Sequence, residues 1–288
     1  MDDTSSNSAE QTSSDASSPD LSGVRVALIG AGNMGGPVGR AMLAAGVDPA
    51  NLHVANSSRA SSERAAEELG ATAASRQEAI QEADVVVLGV KPYQILDLVA
   101  ELGHDLPKDA VVLSLAAGIT LTRIQDALPA GAAVVRAMPN TPISVGEGAV
   151  GLMRGDAVDD ERHQLVHDLL SRAGVVVDIT EDQVHAFIAA AGSLAGFAFA
   201  IIEAMTEEAV RQGLKRDLAD SLVQQTMRGA ATMLLESGMH PAVAKAGVCS
   251  PGGTTAEGYA AFEREGVRAG LAATMAAAAA RSRELTDS

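Results

Sequence analysis

The feature that most constrains this chain is a short apolar run that leads directly into a glycine-rich turn. Residues 24–29 have the length and composition of a buried strand, and a helical segment extends from the turn to about Ala45. Between them stand Gly30, Ala31, Gly32, Asn33, Met34 and Gly35. Strand, G-x-G-x-x-G and helix in this order are typical of dinucleotide binding: the first glycine permits a tight turn, the second lets the backbone approach a pyrophosphate, and the third lets helix and strand pack closely. We therefore predict that residues 30–35 hold the pyrophosphate at the N-terminus of the helix.

A second strand, Leu52–Ala55, ends where such units place the residue that contacts the adenosine ribose. An NAD-binding unit has Asp or Glu there, which binds the ribose 2′-hydroxyl. This chain has Asn56, Ser57, Ser58 and Arg59 instead. Because no carboxylate would repel a 2′-phosphate and a guanidinium can bind one, NADP(H) is favoured over NAD(H), which remains an alternative. The competing interpretation of Arg59 is a solvated residue at the start of a helix.

Further apolar runs predict strands at residues 84–90, 110–114, 133–137 and 175–179. The ends of parallel strands line the cofactor crevice in a doubly wound sheet. The residues expected there are Val90, Lys91 and Pro92 after the third strand, Ala116 and Ala117 after the fourth, and Asn140 after the fifth. Small side chains let a flat ring such as nicotinamide lie against the backbone, and Pro139 and Pro142 stiffen the turn that carries Asn140. Lys91 is equally well interpreted as a solvated lysine before a helix.

Strand signals stop near Thr180, and the remainder predicts helices at residues 181–212, 217–237, 241–246, 255–264 and 267–284. Only 2% of the residues are aromatic, so this alanine-rich part has little bulk with which to fill a core alone. The predicted fold is an α/β N-terminal Rossmann domain with a doubly wound, mostly parallel sheet, residues 22–179, followed by an all-α dimerisation domain, residues 180–288. Residues 1–21 are polar and predict a disordered tail.

One loop of the helical part, Ser250–Thr255, combines a serine, a proline, two glycines and two threonines. Such a loop at the start of a helix leaves backbone N–H groups free, and the helix dipole favours an anion there, so a carboxylate would bind well. We predict that this loop carries the chemistry of the site and binds a carboxylate of the substrate. The alternative is an ordinary turn between helices in which a threonine caps the second helix.

Charge and cysteine content exclude several classes of function. A net charge of −16 disfavours nucleic acid and anionic membranes as partners. Cys249 is the only cysteine, which indicates a reducing compartment, and no signal-like apolar run is present, so a cytoplasmic location is expected. Residues 272–280 are too short to span a bilayer. His163 and His167 stand one helical turn apart, but no third ligand of suitable spacing is evident, so no metal site is predicted.

With these stretches in place, the chain resembles the pyrroline-5-carboxylate reductases from about Val24 to Leu285. The motifs that carry the resemblance are Gly30–Gly35, Val90–Pro92, Arg136–Pro142, Leu235–Pro241, and Ser250–Thr255 followed by Gly258 and Arg268. The resemblance implies reduction of the cyclic imine (S)-1-pyrroline-5-carboxylate to L-proline by NAD(P)H, the last step of proline synthesis. It also implies a Rossmann domain, a helical domain interleaved in a homodimer, and in some members a ring of dimers.

Carried over by position, the resemblance implies a role for each stretch. Residues 56–59 would hold the adenosine end, and Ala116, Ala117 and Asn140 the nicotinamide side. Thr255 would be catalytic, with its hydroxyl reaching the ring nitrogen, and Gly252, Gly253 and Thr254 would lie near the substrate carboxylate. Ser250 and Ser193 would also bind substrate. The chain departs from the family where Ser193 is followed by Leu194 and Ala195 instead of glycine and proline. This helix start lies near the substrate in the family, so the substrate end is less constrained by the resemblance than the cofactor end.

Two other functions fit part of the pattern. A β-hydroxyacid dehydrogenase would share the glycine-rich turn, but it would need a lysine on the first long helix of the second domain, and residues 186–205 contain none. A reductase-like regulatory protein that binds NADP without turnover is the alternative from a different class. Retention of Ser250–Thr255 argues against it.

Overall fold

The computed structural model describes residues 19–287, without the side chain of Asp287, so most of the predicted tail lies outside the described residues. The tail prediction is wrong for Leu21. This side chain is 4% exposed and packs into the hydrophobic core beside the first strand. A leucine buried among other apolar side chains gains enough from leaving water to offset the entropy of ordering it.

The N-terminal part forms one sheet of eight strands in the order β3-β2-β1-β4-β5-β6-β7-β8. The strands are β1 Val26–Ile29, β2 Leu52–Ala55, β3 Thr72–Ala73, β4 Val85–Leu88, β5 Val111–Ser114, β6 Ala133–Pro139, β7 Gly148–Arg154 and β8 Gly174–Asp178. Strands β1 to β6 run parallel, β7 runs antiparallel to β6, and β8 runs parallel to β7. The prediction of a doubly wound, mostly parallel sheet is confirmed, whereas β3 and β7 were not predicted.

Twelve α-helices follow the chain through the described residues. They are α1 Gly35–Ala45, α2 Arg59–Leu69, α3 Arg76–Ile80, α4 Ile95–Leu102, α5 Leu121–Asp126, α6 Asp160–Leu169, α7 Val184–Phe187, α8 Leu194–Arg211, α9 Arg216–Ser237, α10 Pro241–Val248, α11 Thr254–Arg264 and α12 Val267–Asp287. Helices α1, α2 and α6 pack on one face of the sheet, and α3, α4 and α5 pack on the other. Both faces are therefore covered, which explains the continuously apolar strands.

The helical half, Glu181–Asp287, begins with a continuous helical run rather than a uniform α-helix. A 3-10 turn, Glu181–Gln183, leads into α7, and a π-helical segment, Ile188–Gly192, separates α7 from α8. The run ends before Gly213, whose φ of +110° is the left-handed conformation that glycine adopts easily. The predicted helices are confirmed, with boundaries shifted by a few residues.

One helical run among the described residues is long and apolar enough to cross a membrane, judged by length and composition alone. It spans Glu181–Arg211, and its most apolar window has a mean hydropathy of 1.9. Only 6% of that window is buried within the chain. The run coincides with the helix that the sequence predicts at residues 181–212 and lies outside the apolar residues 272–280.

Candidate active site

The glycine-rich turn packs so closely that two of its three motif glycines admit no side chain. Gly30 has a φ of +97°, and a Cβ at Gly35 would lie 2.0 Å from the carbonyl oxygen of Gly30. A Cβ at Gly89, just after β4, would lie 2.3 Å from the same oxygen. By contrast, a Cβ at Gly32 would meet no atom within 4 Å. The first and third glycines therefore serve packing, and the second faces open space.

The N-terminus of α1 has free hydrogen-bond donors at this open space. Met34 occupies the N-cap position and makes no side-chain cap. Among the described residues, the backbone N–H groups of residues 32–35 have no acceptor. Unpaired N–H groups at a helix N-terminus bind phosphate well. The predicted pyrophosphate site thus has the space and the donors that a dinucleotide needs.

Asn56 holds the glycine-rich turn in place through its side chain. Its Oδ1 accepts a hydrogen bond of 2.8 Å from the Ala31 N–H, and its Nδ2 donates one of 2.9 Å to the Ser61 carbonyl. Ser58 is the N-cap of α2 and forms a capping box with Ser61. Because these polar groups have protein partners, Asn56 and Ser58 act on the shape of the cleft. Their direct contact with a cofactor remains a prediction, as does that of Ser57.

A cleft of about 500 Å³ beyond β2 contains two arginines and two glutamates. Residues 56–59 after β2 carry no carboxylate, which on sequence grounds favours a 2′-phosphate. In the structure, however, Glu63 and Glu78 line the cleft together with Arg59. Glu63 pairs with the Nε of Arg59 at 2.8 Å. Glu78 accepts a hydrogen bond from the Ser75 backbone, which lowers the pKa of its carboxyl group. Both carboxylates are therefore already engaged.

Arg76 is a cleft residue that sequence reasoning missed. It lines this cleft and also the adjoining one beside Gly30–Gly32 and Val90. Its guanidinium pairs with Glu101 of α4 at 3.0 Å, which holds it between α3 and α4. Arg76 is the first residue of α3, which follows the two-residue strand β3. Because β3 has no apolar pattern, the position of α3 at the cleft could not be predicted from the sequence. Two guanidinium groups rather than one can reach a phosphate here.

The predicted nicotinamide side is only partly assembled in the single chain. Val90 lines the cleft beside the glycine-rich turn, and Pro92 begins a 3-10 turn, Pro92–Gln94. Ala116 is buried, while Ala117 and Lys91 are exposed. The Lys91 ammonium group has no partner among the described residues, so its solvated interpretation stays open.

Asn140 connects the end of β6 to the π-helical segment. Its Oδ1 accepts from the Ala149 N–H at 2.8 Å, and its Nδ2 donates to the Ala191 carbonyl at 3.2 Å. Ser193 follows directly, and its hydroxyl has no partner among the described residues. Single π-turns within helices occur often at functional sites. Asn140 thus positions the segment that contains Ser193, and its predicted contact with nicotinamide remains untested.

The loop Ser250–Thr255 has the backbone conformation that its glycines predict. Gly252 has a φ of +69°, and a Cβ at Gly253 would lie 2.7 Å from the Ser250 Oγ. Helix α11 begins at Thr254 with Gly253 as its N-cap and no side-chain cap. The alternative in which a threonine caps the helix is therefore wrong. The hydroxyls of Thr254 and Thr255 have no partner among the described residues and are free for a ligand.

The helices on either side of this loop are tied together by charge. Lys245 of α10 lies 4.0 Å from the centre of the Tyr259 ring, and Arg268 of α12 donates to Glu263 of α11 at 2.6 Å. The hydrogen bond from Arg268, followed by that from Tyr259, lowers the pKa of the Glu263 carboxyl group to about 2. These contacts hold α10, α11 and α12 in register around the loop.

Asp178 lies within hydrogen-bond distance of His163 and His167, the two histidines for which no third ligand was evident from sequence spacing. His163 and His167 of α6 each place Nε2 within hydrogen-bond distance of the same Asp178 oxygen, at 2.8 and 2.9 Å. Partial burial would raise the pKa of Asp178, but the hydrogen bond from His167 and the charges of both histidines outweigh it and lower the pKa. Asp178 is the last residue of β8, an edge strand of the sheet, which lies far from the glycine-rich turn after β1.

Comparison with known proteins agrees with this arrangement. The family model described as "Pyrroline-5-carboxylate reductase dimerisation" matches residues 181–285, and the one described as "NADP oxidoreductase coenzyme F420-dependent" matches residues 25–118. Pyrroline-5-carboxylate reductase of Arabidopsis thaliana is 38% identical over 266 residues, which are 92% of this chain and 96% of the relative. The Corynebacterium melassecola enzyme is 37% identical over 264 residues, 90% of this chain and 98% of its own length. The chain belongs to the pyrroline-5-carboxylate reductase family.

A solved pyrroline-5-carboxylate reductase structure from Coxiella burnetii shows that the likeness extends to the fold. It superposes with a TM-score of 0.85 at 35% identity and covers 91% of this chain and 98% of its own. The two segments matched by the family models contain every predicted site residue except Asn140. The predicted family and fold class are thereby confirmed, while the division at residues 179 and 180 and the individual site residues remain predictions.

Proposed function

We propose that this protein reduces (S)-1-pyrroline-5-carboxylate to L-proline with NADPH, the last step of proline synthesis. The observation that carries the proposal is the free Thr255 hydroxyl at the start of α11, in a chain of this family that also has an open dinucleotide turn. The residues fit the cofactor, because Gly32 leaves space and the adjoining N–H groups are unpaired. NADPH, when bound, supplies the hydride. NAD(H) remains an alternative donor.

The residues of this chain then have to bind and orient the imine. The carbon of a cyclic imine is electrophilic, and it becomes more so as the nitrogen accepts a hydrogen bond and then a proton. Reduction therefore needs orientation and a hydrogen-bond donor at nitrogen more than a strong base. The backbone around Gly252 and Gly253 and the dipole of α11 suit the substrate carboxylate. The Thr255 hydroxyl donates a hydrogen bond to the ring nitrogen, the free Thr254 hydroxyl lies near the carboxylate, and the free Ser193 hydroxyl is available to the rest of the ring.

The direct test follows NADPH absorbance with pyrroline-5-carboxylate as substrate. Turnover that yields proline supports the proposal. Tight NADPH binding with no turnover of any cyclic imine would instead favour the non-catalytic, regulatory alternative. The segment at Leu194 and Ala195 makes other cyclic imino acids worth including, since the family pattern changes there.

Replacing Arg59 by Ala is expected to weaken NADPH binding about 3- to 10-fold and to leave NADH binding nearly unchanged. Arg59 is 93% exposed, so solvent screens its interaction with a 2′-phosphate and the loss stays modest. Binding is measured by fluorescence titration of reduced cofactor. Arg64→Ala is the matched control, because Arg64 stands on the same helix but does not line the cleft. An equal loss for both cofactors would show that Arg59 does not read the phosphate.

The helical half leaves an unusual number of large apolar side chains exposed. They include Leu194, Phe199, Met205, Leu218, Leu222, Met233, Leu235, Val243 and Val248. We propose that a second copy of the chain covers them in a soluble, cytoplasmic homodimer, because a monomer rarely exposes so much contiguous apolar surface. The same reasoning interprets the apolar run Glu181–Arg211 as an interface helix rather than a membrane span. The family description of residues 181–285 as a dimerisation region supports this. A larger ring of dimers stays open.

The loop Ser250–Thr255 is mostly exposed in the single chain, and no side chain of the loop bonds to a described residue of the sheet domain. A loop that binds substrate has to meet the cofactor cleft, so we propose that each loop completes the cleft of the other subunit. Light scattering should then give a dimer or a multiple of it. A stable monomer, or a protein that partitions into liposomes, would contradict the proposal.

Co-expression of two impaired variants tests whether the site is shared. Gly32→Ala blocks the pyrophosphate without touching protein atoms, and Thr255→Val removes the hydroxyl. Random pairing of the two chains should restore about one quarter of wild-type activity, because half of the dimers are mixed and each has one intact site. No recovery would place both parts of the site in one chain.

A further inference from the structure

The two histidines of α6 and the aspartate that ends β8 form a group of donors that the proposed reaction does not use. His163 and His167 are one helical turn apart, so both rings project from the same face of α6. Their ring centres are 4.9 Å apart, and the planes meet at 79°. The two Nε2 atoms and one oxygen of Asp178 all lie within 4.8 Å of one another.

We propose that His163, His167 and Asp178 bind a divalent transition-metal ion of the Zn²⁺ type. Two imidazole nitrogens and one carboxylate oxygen suit Zn²⁺ and its neighbours in the first transition row, whereas Mg²⁺ and Ca²⁺ prefer oxygen ligands alone. Three protein ligands leave a fourth tetrahedral position for water. Nothing in the proposed reduction requires this ion, because the hydride and the hydrogen-bond donor come from other groups.

The Asp178 carboxylate needs only a small movement relative to each imidazole to accept the ion. The Asp178 oxygen is 2.8 Å from one Nε2 and 2.9 Å from the other. Ligand atoms at roughly 2.0–2.1 Å from a tetrahedral Zn²⁺ stand about 3.3 Å apart, so the carboxylate has to withdraw by about half an ångström. The Asp178 side chain is 61% exposed and ends an edge strand, which leaves it free to move and gives the ion a route from solvent.

The site is separate from the cofactor cleft. Strand β8 is the fifth strand from β1 in the sheet order, which at about 4.8 Å per strand places it roughly 24 Å from β1. A metal there joins α6 to β8, a strand whose outer edge has no strand partner among the described residues. The ion therefore acts as a clamp on the sheet edge.

The surroundings of the His163 Nδ1 atom limit the affinity of the site for a metal ion. Metal binding through Nε2 leaves the proton on Nδ1, and the Nδ1 of His163 is buried without a partner among the described residues. Metal-bound histidines usually donate this proton to an oxygen, and loss of such a partner typically reduces metal affinity about 10- to 100-fold. We expect binding that is readily reversed by a chelator.

The test uses the full-length protein freed of metal with EDTA and titrated with Zn²⁺ and Co²⁺. One ion per chain should bind, and saturating Zn²⁺ should raise Tm by roughly 2–5 °C. His167→Gln and Asp178→Asn should each abolish this rise, while His104→Gln, at an exposed histidine outside the cluster, should retain it. Tm values in EDTA show whether each variant is folded, so a loss of binding can be separated from a loss of structure.

The Co²⁺ spectrum identifies the ligands. Tetrahedral absorption without a thiolate charge-transfer band supports the proposed site, whereas a thiolate band would assign binding to Cys249 and overturn it. Binding that survives His167→Gln unchanged, or no shift in Tm with either ion, would also overturn the proposal. NADPH-dependent turnover is measured in parallel, and its presence or absence bears only on the proposed reductase function.

Discussion

Replacing Glu181 by Ala is expected to lower the free energy of unfolding by about 2–4 kcal/mol, somewhat less than removing one partner of a fully buried ion pair, because the Glu181 side chain is 32% exposed. The Arg136 side chain is 2% exposed, and its guanidinium donates to Glu181 at 2.7 Å. The same carboxylate oxygen accepts from the Leu121 backbone N–H at 2.9 Å. The variant would leave the Arg136 charge buried without a counter-ion. Glu181 is also the first residue of the helical half, so its loss loosens the junction with the sheet.

Urea denaturation at one fixed protein concentration measures the change, since the stability of an oligomer depends on concentration. Glu181→Gln keeps the shape and the acceptor oxygen but removes the charge, so its effect should be intermediate. Glu284→Ala is the matched control. Glu284 pairs with Arg281 on the surface at 2.7 Å, and an exposed pair contributes at most about 1 kcal/mol. A change as small for Glu181 as for Glu284 would mean that Arg136 is reached by water.

The sheet was predictable where strands are buried on both faces. Strands β1, β4 and β5 are short runs of apolar residues with turn signals at both ends, and these runs have no other stable location. Strand β3 has two exposed residues and no pattern. Strand β7 contains Gly148 and Gly151, which weaken a strand prediction. A Cβ at Gly151 would lie 2.7 Å from the Ile179 side chain, so packing requires the residue that hides the strand.

The candidate site was predictable as a set of local motifs and not as a set of contacts. The glycine-rich turn and the loop Ser250–Thr255 each keep their chemistry within a few residues, so spacing alone identifies them. Arg76, Asp178 and Glu181 act through partners that are 11 to 60 residues distant in sequence. Arg76 also stands at a helix start that no sequence pattern marks. Only the folded chain brings such groups together. For the same reason the sequence suggested that Asn56 and Asn140 contact the cofactor, whereas the structure gives their side chains protein partners.

In the helical half, the sequence predicts the helices but not what covers their apolar residues. Its helices were predicted correctly, but their apolar residues point away from the chain's own core, and a single copy buries few of them. Composition indicates that something covers this surface, since exposed leucine, phenylalanine and methionine in this number are unfavourable in water. In the proposed homodimer, the geometry of the covered state depends on the second copy. Whether the loop Ser250–Thr255 reaches a cofactor would then depend on assembly as much as on folding.

Replacing Thr255 by Val is expected to reduce kcat/KM for pyrroline-5-carboxylate about 10- to 100-fold, which corresponds to the loss of one hydrogen bond of roughly 1.4–2.7 kcal/mol. Valine keeps the shape and removes the hydroxyl, which has no partner among the described residues, so the fold and NADPH affinity should be unchanged. Helix α11 begins with Gly253 as its N-cap, and the substitution therefore removes no cap. Steady-state kinetics, thermal melting and cofactor titration measure the three properties separately.

Thr254→Val is the adjacent control for this prediction. Thr254 is the first residue of α11, and its hydroxyl also has no partner among the described residues. Its expected position is near the substrate carboxylate, which backbone N–H groups also bind. Its loss should therefore reduce kcat/KM less than the loss of the Thr255 hydroxyl does. If the Thr255 variant melts early, the hydroxyl is structural in the dimer. If the variant turns over every cyclic imine as well as the wild type does, another group donates the proton to the ring nitrogen. The free Ser193 hydroxyl, beside the π-helical segment where the family pattern changes, is then the next group to replace.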